Sequence, residues 1–362
     1  MFPVIKTIYD LLPHIKDEEL INSREIGHGC FHVSYVYQDS KLFKGDNAIY
    51  TRECRGITFN KSGEIVSRPF HKFHNLNETT GYLENDLNWN EVDSIQDKRD
   101  GSMISPVLID KKIFWKTKKS FDNQEATLVN KLYHKDTKEY DFAIHCLSLD
   151  YTPIFEFTSP YNRIVIGYKE PKLTLLAIRN LYTGEYLKYD LFKEVAEKFE
   201  IDIAQDYSYL TLDEIKQNVE TGTGFEGYVI TFKDGKKVKV KTNYYLALHR
   251  NVTFTTERQI AEMVLDDVID DYKAYIQSLE TEELSKRVDE IESQVIKELI
   301  ELEKTCNDII ATDKDLSVKD FSLKWKSQKM FHLLIRGFRG NDMPFKDYYK
   351  MNYLEKFENI QI

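Results

Sequence analysis

Lys98-Arg99-Asp100-Gly101-Ser102 is where covalent chemistry would start in this chain. A lysine displayed beside a tight turn can serve as a covalent nucleophile. Asp-Gly is also the commonest hairpin dipeptide, so the pentapeptide alone reads equally well as a polar turn. A free lysine, with a pKa of about 10.4, is almost wholly protonated at neutral pH and cannot attack. Neighbouring cations and partial burial would have to lower that value. Two lysine clusters could supply the cations: Lys111, Lys112, Lys116, Lys118 and Lys119, and then Lys233, Lys236, Lys237, Lys239 and Lys241.

Three further segments carry charge where a strand would bury it. Phe225-Glu226-Gly227-Tyr228-Val229 is followed by Lys237-Val238-Lys239-Val240-Lys241. Alternation puts Lys239 and Lys241 on one strand face and the two valines on the other. An edge strand with solvated lysines has the same pattern, but an unpaired Glu226 on a neighbouring apolar strand would be costly. A carboxylate near two lysines suits a metal–nucleotide complex. Ile154-Phe155-Glu156-Phe157 places another carboxylate in an aromatic strand, where a ribose hydroxyl would be a fitting partner, and Ser159-Pro160-Tyr161-Asn162-Arg163 follows it. Arg52-Glu53-Cys54-Arg55-Gly56 and Arg68-Pro69-Phe70-His71-Lys72-Phe73 offer cations for the β and γ phosphates of a nucleotide, although surface arginines are common.

The elements that must position these groups are of two kinds. Up to about residue 249, short β-branched or aromatic runs predict strands at Phe31–Tyr37, Arg55–Phe59, Ile113–Thr117, Ile154–Phe157, Ile164–Tyr168, Leu173–Ile178, Gly227–Phe232 and Val238–Val240. Glu125–Tyr133 and Leu191–Phe199 read as helices, the first opened by a capping box from Asp122 to Glu125. This is an α+β pattern with much antiparallel sheet. Beyond residue 250, Leu284, Val288, Ile291, Val295, Leu299, Leu302, Cys306 and Ile309 recur three or four apart, one long apolar stripe. Packing within an all-helical C-terminal domain is expected rather than a coiled coil. Asp266, Asp270 and Asp271 read as a solvated acidic helix face rather than a metal site.

The 362 residues suit two domains, 1–249 and 250–362. No apolar run approaches the roughly 20 residues of a membrane span. Ile5, Ile8, Leu11 and Leu12, interrupted by Lys6 and Asp10, read as a short amphipathic helix and not a signal peptide. Cys30, Cys54, Cys146 and Cys306 lack CxxC spacing, which speaks against a zinc site or disulfide framework and for a reducing cytoplasm. The net charge of −10 argues against a uniformly basic nucleic-acid surface, but binding answers to the local field.

In this order and spacing, the KxDG lysine motif, the glutamate in an aromatic strand, the EGxV strand and the KxK strand resemble the covalent nucleotidyltransferase superfamily. Its members are ATP- or NAD-dependent polynucleotide ligases and mRNA capping enzymes. The similarity is greatest to the RNA ligase 1 type of T-even bacteriophages. Glu53-Cys54-Arg55-Gly56-Ile57, Lys72-Phe73, Asn75-Leu76-Asn77-Glu78, Phe155-Glu156-Phe157, Asn162-Arg163-Ile164-Val165 and Thr183-Gly184-Glu185-Tyr186 carry it. It runs through residue 249 and continues more faintly into the tail. It implies a nucleotidyltransferase domain of ATP-grasp-like antiparallel sheets, followed here by an all-α C-terminal domain that would recognise RNA.

The resemblance implies that Lys98 attacks the α-phosphorus of ATP, that AMP passes to an RNA 5′-phosphate, and that an RNA 3′-OH then seals the break. Lys239 and Lys241 would act with Lys98 on the α-phosphate. Glu156 would hold the ribose, and Glu226 would bind Mg2+ or Mn2+. Arg55 and Lys72 would orient the triphosphate, Lys118 would add a site cation, and Asp100 and Gly101 complete the nucleotide-binding motif. The expected protein is a cytoplasmic monomer (in the host cytoplasm if phage-encoded) that repairs RNA, tRNA included. With no GxxxxGK[ST] loop in the sequence, a separate kinase or phosphatase would prepare the ends. Lys119 stands where the compared relative has glycine. DNA ligases and capping enzymes usually follow the KxK strand with an OB-fold, whereas this tail is helical. A non-catalytic RNA-binding protein would not need Lys98, Asp100 and Gly101 beside Glu226 and Lys241.

Overall fold

Period-2 patterning dominates the first two-thirds of the chain and period-3.6 patterning the rest, and the architecture follows that division. The computed structural model describes residues 2–16, 18–36, 40–160, 166–250, 256–278 and 282–357. Met1–Val36 and Ser40–Asn251 form one compact unit, and Val252–Ile362 a second.

The first unit holds three four-stranded sheets. One is the meander β1 (Ile21–Gly27), β2 (Cys30–Tyr35), β3 (Arg55–Phe59) and β4 (Ile65–Ser67). The second has the order β10-β9-β7-β8, from β7 (Ser102–Ile109), β8 (Lys112–Lys116), β9 (Tyr151–Thr158) and β10 (Lys172–Asn180). The third has the order β5-β12-β11-β6, from β5 (His74–Asn75), β6 (Val92–Lys98), β11 (Gly227–Phe232) and β12 (Lys237–Lys241). All pairings are antiparallel except β5 with β12.

Phe155 and Phe157 point to one face of β9, where they are buried with Ile104, Trp115 and Leu175 against Phe142 of α2 (Lys138–Ser148) and Val129 of α1 (Gln124–Leu132). Phe192 of α3 (Tyr189–Lys198) closes that core. Ile154, on the opposite face of β9, packs instead with Tyr228, Ile230, Val238 and Val240 of the third sheet. Glu156 shares that face of β9 with Ile154, because side chains two apart lie on one side. Two more helices, α4 (Leu212–Thr221) and α5 (Asn243–Arg250), flank β11 and β12 in sequence.

The second unit is helical: α6 (Glu257–Leu265), α7 (Ile269–Ser278), α8 (Glu282–Thr312), α9 (Val318–Trp325), α10 (Phe331–Phe338) and α11 (Phe345–Tyr353). Val288, Ile291, Val295, Leu299, Leu302 and Cys306 of α8 are buried, so the apolar stripe packs within the unit. Leu302 and Cys306 meet Phe321, Leu333, Leu334 and Tyr348. The Leu284 side chain lies outside the described residues.

Several expectations need correction. The cap of α1 is Asn123, whose side chain accepts from the Ala126 N–H at 3.1 Å. Asp122 lies one residue too early, and Glu125 instead accepts from the Asn123 amide. The N-terminal segment is a 3-10 turn, Ile8–Asp10, followed by one helical turn, Leu12–Ile15. Ile166–Tyr168 is not strand, while residues 161–165, which include the Asn162-Arg163-Ile164-Val165 motif, lie outside the described residues. Asp266, by contrast, is exposed as a solvated face requires, and it is ion-paired with Lys350.

Candidate active site

Strand register brings the two central motifs together. Gly227, the first residue of β11, stands opposite Lys98 at the end of β6 and opposite Lys241 at the end of β12. Glu226 immediately precedes it, so its carboxylate emerges between two lysines 143 residues apart. Lys98 Nζ is 2.8 Å and Lys241 Nζ 2.9 Å from the same oxygen, Glu226 Oε1. The Lys98 side chain is 21% exposed, that of Lys241 8% and that of Glu226 2%. Glu226 Oε2 is buried with no hydrogen-bond partner among the described residues. That is an open valence, because buried polar atoms are nearly always satisfied.

Both motif glycines are sterically required. Gly227 has φ +150°, and a Cβ there would stand 2.0 Å from the Val240 carbonyl oxygen of the neighbouring strand. A Cβ on Gly101 would stand 2.3 Å from the Phe157 carbonyl oxygen. Arg99–Gly101 is the turn that carries the chain from β6 in the third sheet to β7 in the second. Gly101 thus lets the Lys98–Gly101 turn sit down on β9, the strand that holds Glu156.

Asp100 is buried and fixes the turn from both sides. Its Oδ2 accepts from the Ile166 N–H at 2.7 Å and its Oδ1 from the Tyr245 hydroxyl at 2.9 Å. Its own N–H donates to the Tyr168 hydroxyl at 3.1 Å. Tyr245 also lies under Lys241, 4.8 Å from ring centroid to Nζ. Neither tyrosine carries a sequence signal, since each acts through one hydroxyl in an irregular or helical segment.

Glu156 forms no ion pair among the described residues, and its carboxyl is pushed up to about 7. Burial is the main cause, reinforced by Glu226 and Asp100 and opposed by Lys98 and Arg55. Lys98, Glu226, Glu156, Asp100 and Arg55 therefore share one electrostatic neighbourhood. The Arg55 guanidinium lies 5.7 Å from the Phe73 ring centroid, and its Nη1 is buried without a hydrogen-bond partner among the described residues.

A second cluster adjoins β12. Lys239 is in register with Asn75 of β5, and Glu78 accepts from the Asn75 backbone N–H at 2.7 Å and its side-chain amide at 2.8 Å. Glu78 Oε1 is 2.6 Å from His74 Nδ1. Burial would raise the Glu78 carboxyl, but the His74 hydrogen bond and the charges of Lys72 and Lys239 hold it at about 2. Lys118 lies just past β8, its Nζ 3.6 Å from the Tyr35 ring centroid.

The other predicted cations divide. Arg68 is no phosphate ligand: it is buried, and its Nε–H donates to Glu53 Oε2 at 3.1 Å. Arg179, which lies in no site motif, donates to Glu53 Oε1 at 2.7 Å. The lysine clusters disperse as well. Lys111, Lys112, Lys119 and Lys233 are exposed. Lys116 is buried and donates to the Gly56 carbonyl at 2.8 Å, with its ammonium pulled down to about 7 by burial. Lys237, the first residue of β12, is buried, donates to Thr231 Oγ1 at 2.8 Å and is likewise pulled down to about 7 by burial.

Comparison with known proteins places the chain. The model of the RNA ligase family matches residues 53–245, which span the whole of this site. A protein of Thermovibrio ammonificans named "Putative RNA ligase" is 27% identical over 317 residues, 85% of this chain and 80% of that one. RNA ligase 1 of bacteriophage TS2126 is 27% identical over 259 residues, 68% of this chain and 63% of that one. Among solved structures, an archaeal ATP-dependent RNA ligase aligns with a TM-score of 0.48 at 12% identity, over 84% of this chain and 79% of the other. With more than half of its length matched by the family model, including Lys98, Glu156, Glu226, Lys239 and Lys241, the chain belongs to the RNA ligase family.

Proposed function

We propose that the protein joins RNA 3′-OH and 5′-phosphate ends in an ATP-dependent reaction whose covalent carrier is Lys98. The observation that supports this most is the convergence of Lys98 and Lys241 on one oxygen of Glu226. In the first step Lys98 Nζ forms a bond to the α-phosphorus of ATP while the bond to pyrophosphate breaks, leaving lysyl-AMP. The ammonium must lose a proton to attack, and Glu226 Oε1 at 2.8 Å is within reach to accept it. The AMP then moves to the RNA 5′-phosphate, and the 3′-OH displaces it to form the phosphodiester.

The remaining residues do what charge development on phosphoryl oxygens demands. Lys241 and Lys239, on one face of β12, would meet the α-phosphate. Arg55, with an unpartnered buried nitrogen, and Lys72 would orient the departing pyrophosphate. Glu156 would accept hydrogen bonds from the ribose. Lys118 would add positive charge, and Asp100 with Gly101 would hold the nucleophile turn in place.

A divalent metal, Mg2+ or Mn2+, would neutralise phosphate charge when bound. The unpartnered Glu226 Oε2 fits one metal ligand. Among the described residues no group of three or more His, Cys, Asp or Glu side chains could hold an ion by itself. The rest of the coordination would come from phosphate oxygens and water, as is usual for Mg2+.

The biological reading follows the chemistry. We assign residues 1–249 to adenylyl transfer and 250–362 to recognition of RNA. A cytoplasmic monomer acting in RNA repair, tRNA included, with ends prepared by a separate kinase or phosphatase, fits the four buried thiols and the described helices, none of which is long and apolar enough to cross a membrane.

Incubation with α-labelled ATP and a divalent metal should yield an acid-stable protein–AMP adduct, lost in Lys98→Ala. Absence of the adduct in the wild-type protein would refute the proposal.

A further inference from the structure

The helical unit is electrically two-sided along its sequence. Between Glu257 and Asp315, eighteen acidic residues accompany seven basic ones. Between Leu316 and Phe357, nine basic residues accompany four acidic ones. Much of that later positive charge is spent internally. Lys324 is paired with Asp313, Lys346 with Asp267, Lys350 with Asp266 and Lys356 with Glu298.

Six basic side chains of this stretch are not spent this way, and four of the six, apart from Lys319 and Lys326, fall in one row. Lys329, His332, Arg336 and Arg339 are exposed, and none is paired with a carboxylate among the described residues. Their spacing is three, four and three, so they lie along one face of α10 and of the turns that open and close it. The opposite face is fixed in the core by Leu333 and Leu334, both fully buried. Successive members are about one helical turn, roughly 5 Å, apart. Two of them make local bonds that do not use up their donors. Arg336 Nε–H donates to the Asp342 carbonyl at 2.9 Å, which leaves both terminal nitrogens of the fork available. Lys329 Nζ is 3.4 Å from the Asn352 carbonyl and 5.4 Å from the Tyr353 ring centroid.

We propose that Lys329, His332, Arg336 and Arg339 form a contact stripe for the phosphate backbone of RNA. The inference rests on the ligase reading for the identity of the polyanion, and on the charge and exposure of α10 for its place. Lys329, Arg336 and Arg339, in a row with His332, concentrate positive potential on a chain of net charge −10 whose acidic helices α6–α8 would otherwise repel a polyanion. Contacts of this type position a nucleic acid and carry no base readout.

The test uses the full chain and an RNA stem–loop with a 5′-phosphate, in EDTA and without ATP, so that binding is read without turnover. The triple variant Lys329→Gln, Arg336→Gln, Arg339→Gln should bind at least tenfold more weakly. Its slope of log Kd against log salt should be shallower by about 2 to 3, since each lost phosphate contact removes about 0.7 to 0.9. Arg339→Gln alone, at the exposed end of the helix, should change the slope by about one such step. A charge-matched control elsewhere, Lys131→Gln, Lys135→Gln, Lys198→Gln, should stay within twofold of wild type. Wild-type affinity and slope in the stripe variant, or equal weakening in the control, would overturn the proposal. Protein–AMP formation without RNA is measured in parallel and should be unchanged by the stripe variant. A wild-type chain that forms no adduct refutes the ligase reading, while the two titrations still decide the stripe.

Discussion

Glu226 and Glu53 each sit between two cations in the same unit, and the two clusters are built to opposite ends. Glu53 is closed. Each of its oxygens takes one guanidinium, and the donors left over on Arg68 and Arg179 go to carbonyls of Pro3, Tyr182, Pro69 and Gly184. All three side chains are within 1% of full burial. Glu226 is open. Both lysines crowd onto one oxygen, the other oxygen has no hydrogen-bond partner among the described residues, and Lys98 reaches solvent. A completed polar network rigidifies, whereas a half-completed one is costly unless something binds to complete it. The difference separates a structural node from a reactive one more sharply than the residue types do.

Breaking the open cluster should cost activity and little stability. Glu226→Gln keeps the shape but removes the charge that collects Lys98 and Lys241, along with the acceptor for the Lys98 proton. Protein–AMP formation should fall on the order of a thousandfold, the upper range for loss of one electrostatic group aimed at a transition state. The thermal midpoint should move by no more than a few degrees, because Lys98 keeps solvent access and Lys241 keeps the Tyr245 ring. Near-normal adenylation by this variant would remove Glu226 from the chemistry.

Breaking the closed cluster should do the reverse. Glu53→Gln leaves two buried guanidiniums without a counter-charge, and removing one partner of a buried ion network costs about 3 kcal/mol or more. Denaturant unfolding should show that loss. Simultaneous apolar replacement of Glu53, Arg68 and Arg179 should recover much of it, since buried ion networks often exchange for packed hydrophobic groups at little net cost. Unchanged stability in Glu53→Gln would erase the distinction between the two clusters.

The two clusters were also unequally legible in the sequence. Lys98, Glu226, Lys239 and Lys241 stand in short motifs whose period-2 alternation fixes their face, so their grouping could be anticipated. Glu53 and Arg179 are 126 residues apart, and a charge type does not reveal whether its side chain will be buried. Arg68 stands in a segment that offers cations for phosphate, but its guanidinium is a strut for the chain around Glu53. The strands flanking Lys98 were hidden as well. Val92–Lys98 carries two aspartates, and Ser102–Ile109 contains Pro106, a residue that weakens any strand reading. Pro106 is tolerated because β7 pairs with β9 only over Ser102–Ile104 and with β8 alone beyond that, so no ladder bond is lost on the open side. Tyr168 and Tyr245, which clamp Asp100, depend on tertiary contacts that no local pattern announces.

Glu156 gives the smallest expected effect and the sharpest distinction within the open site. Unlike Glu53, it has no counter-charge of its own, and burial beside Glu226 and Asp100 holds its carboxyl up to about 7 against an ordinary value of 4.5. The folded protein therefore binds a proton between these values that the unfolded chain has released. Its contribution to stability falls as pH rises from about 4.5 to 7, the cost of ionising a carboxyl in this setting. Ribose hydroxyls need an acceptor, and the ionised carboxylate offers more acceptor capacity than the neutral acid. The KM for ATP in adenylation should thus fall a few-fold as pH rises through about 7, with kcat analysed separately because Lys98 deprotonation also favours high pH. Glu156→Gln, which cannot ionise, should lose the inflection in KM and hold a flat, weaker affinity across the range. An inflection that persists in Glu156→Gln would assign it to another group and leave Glu156 without a part in holding the nucleotide.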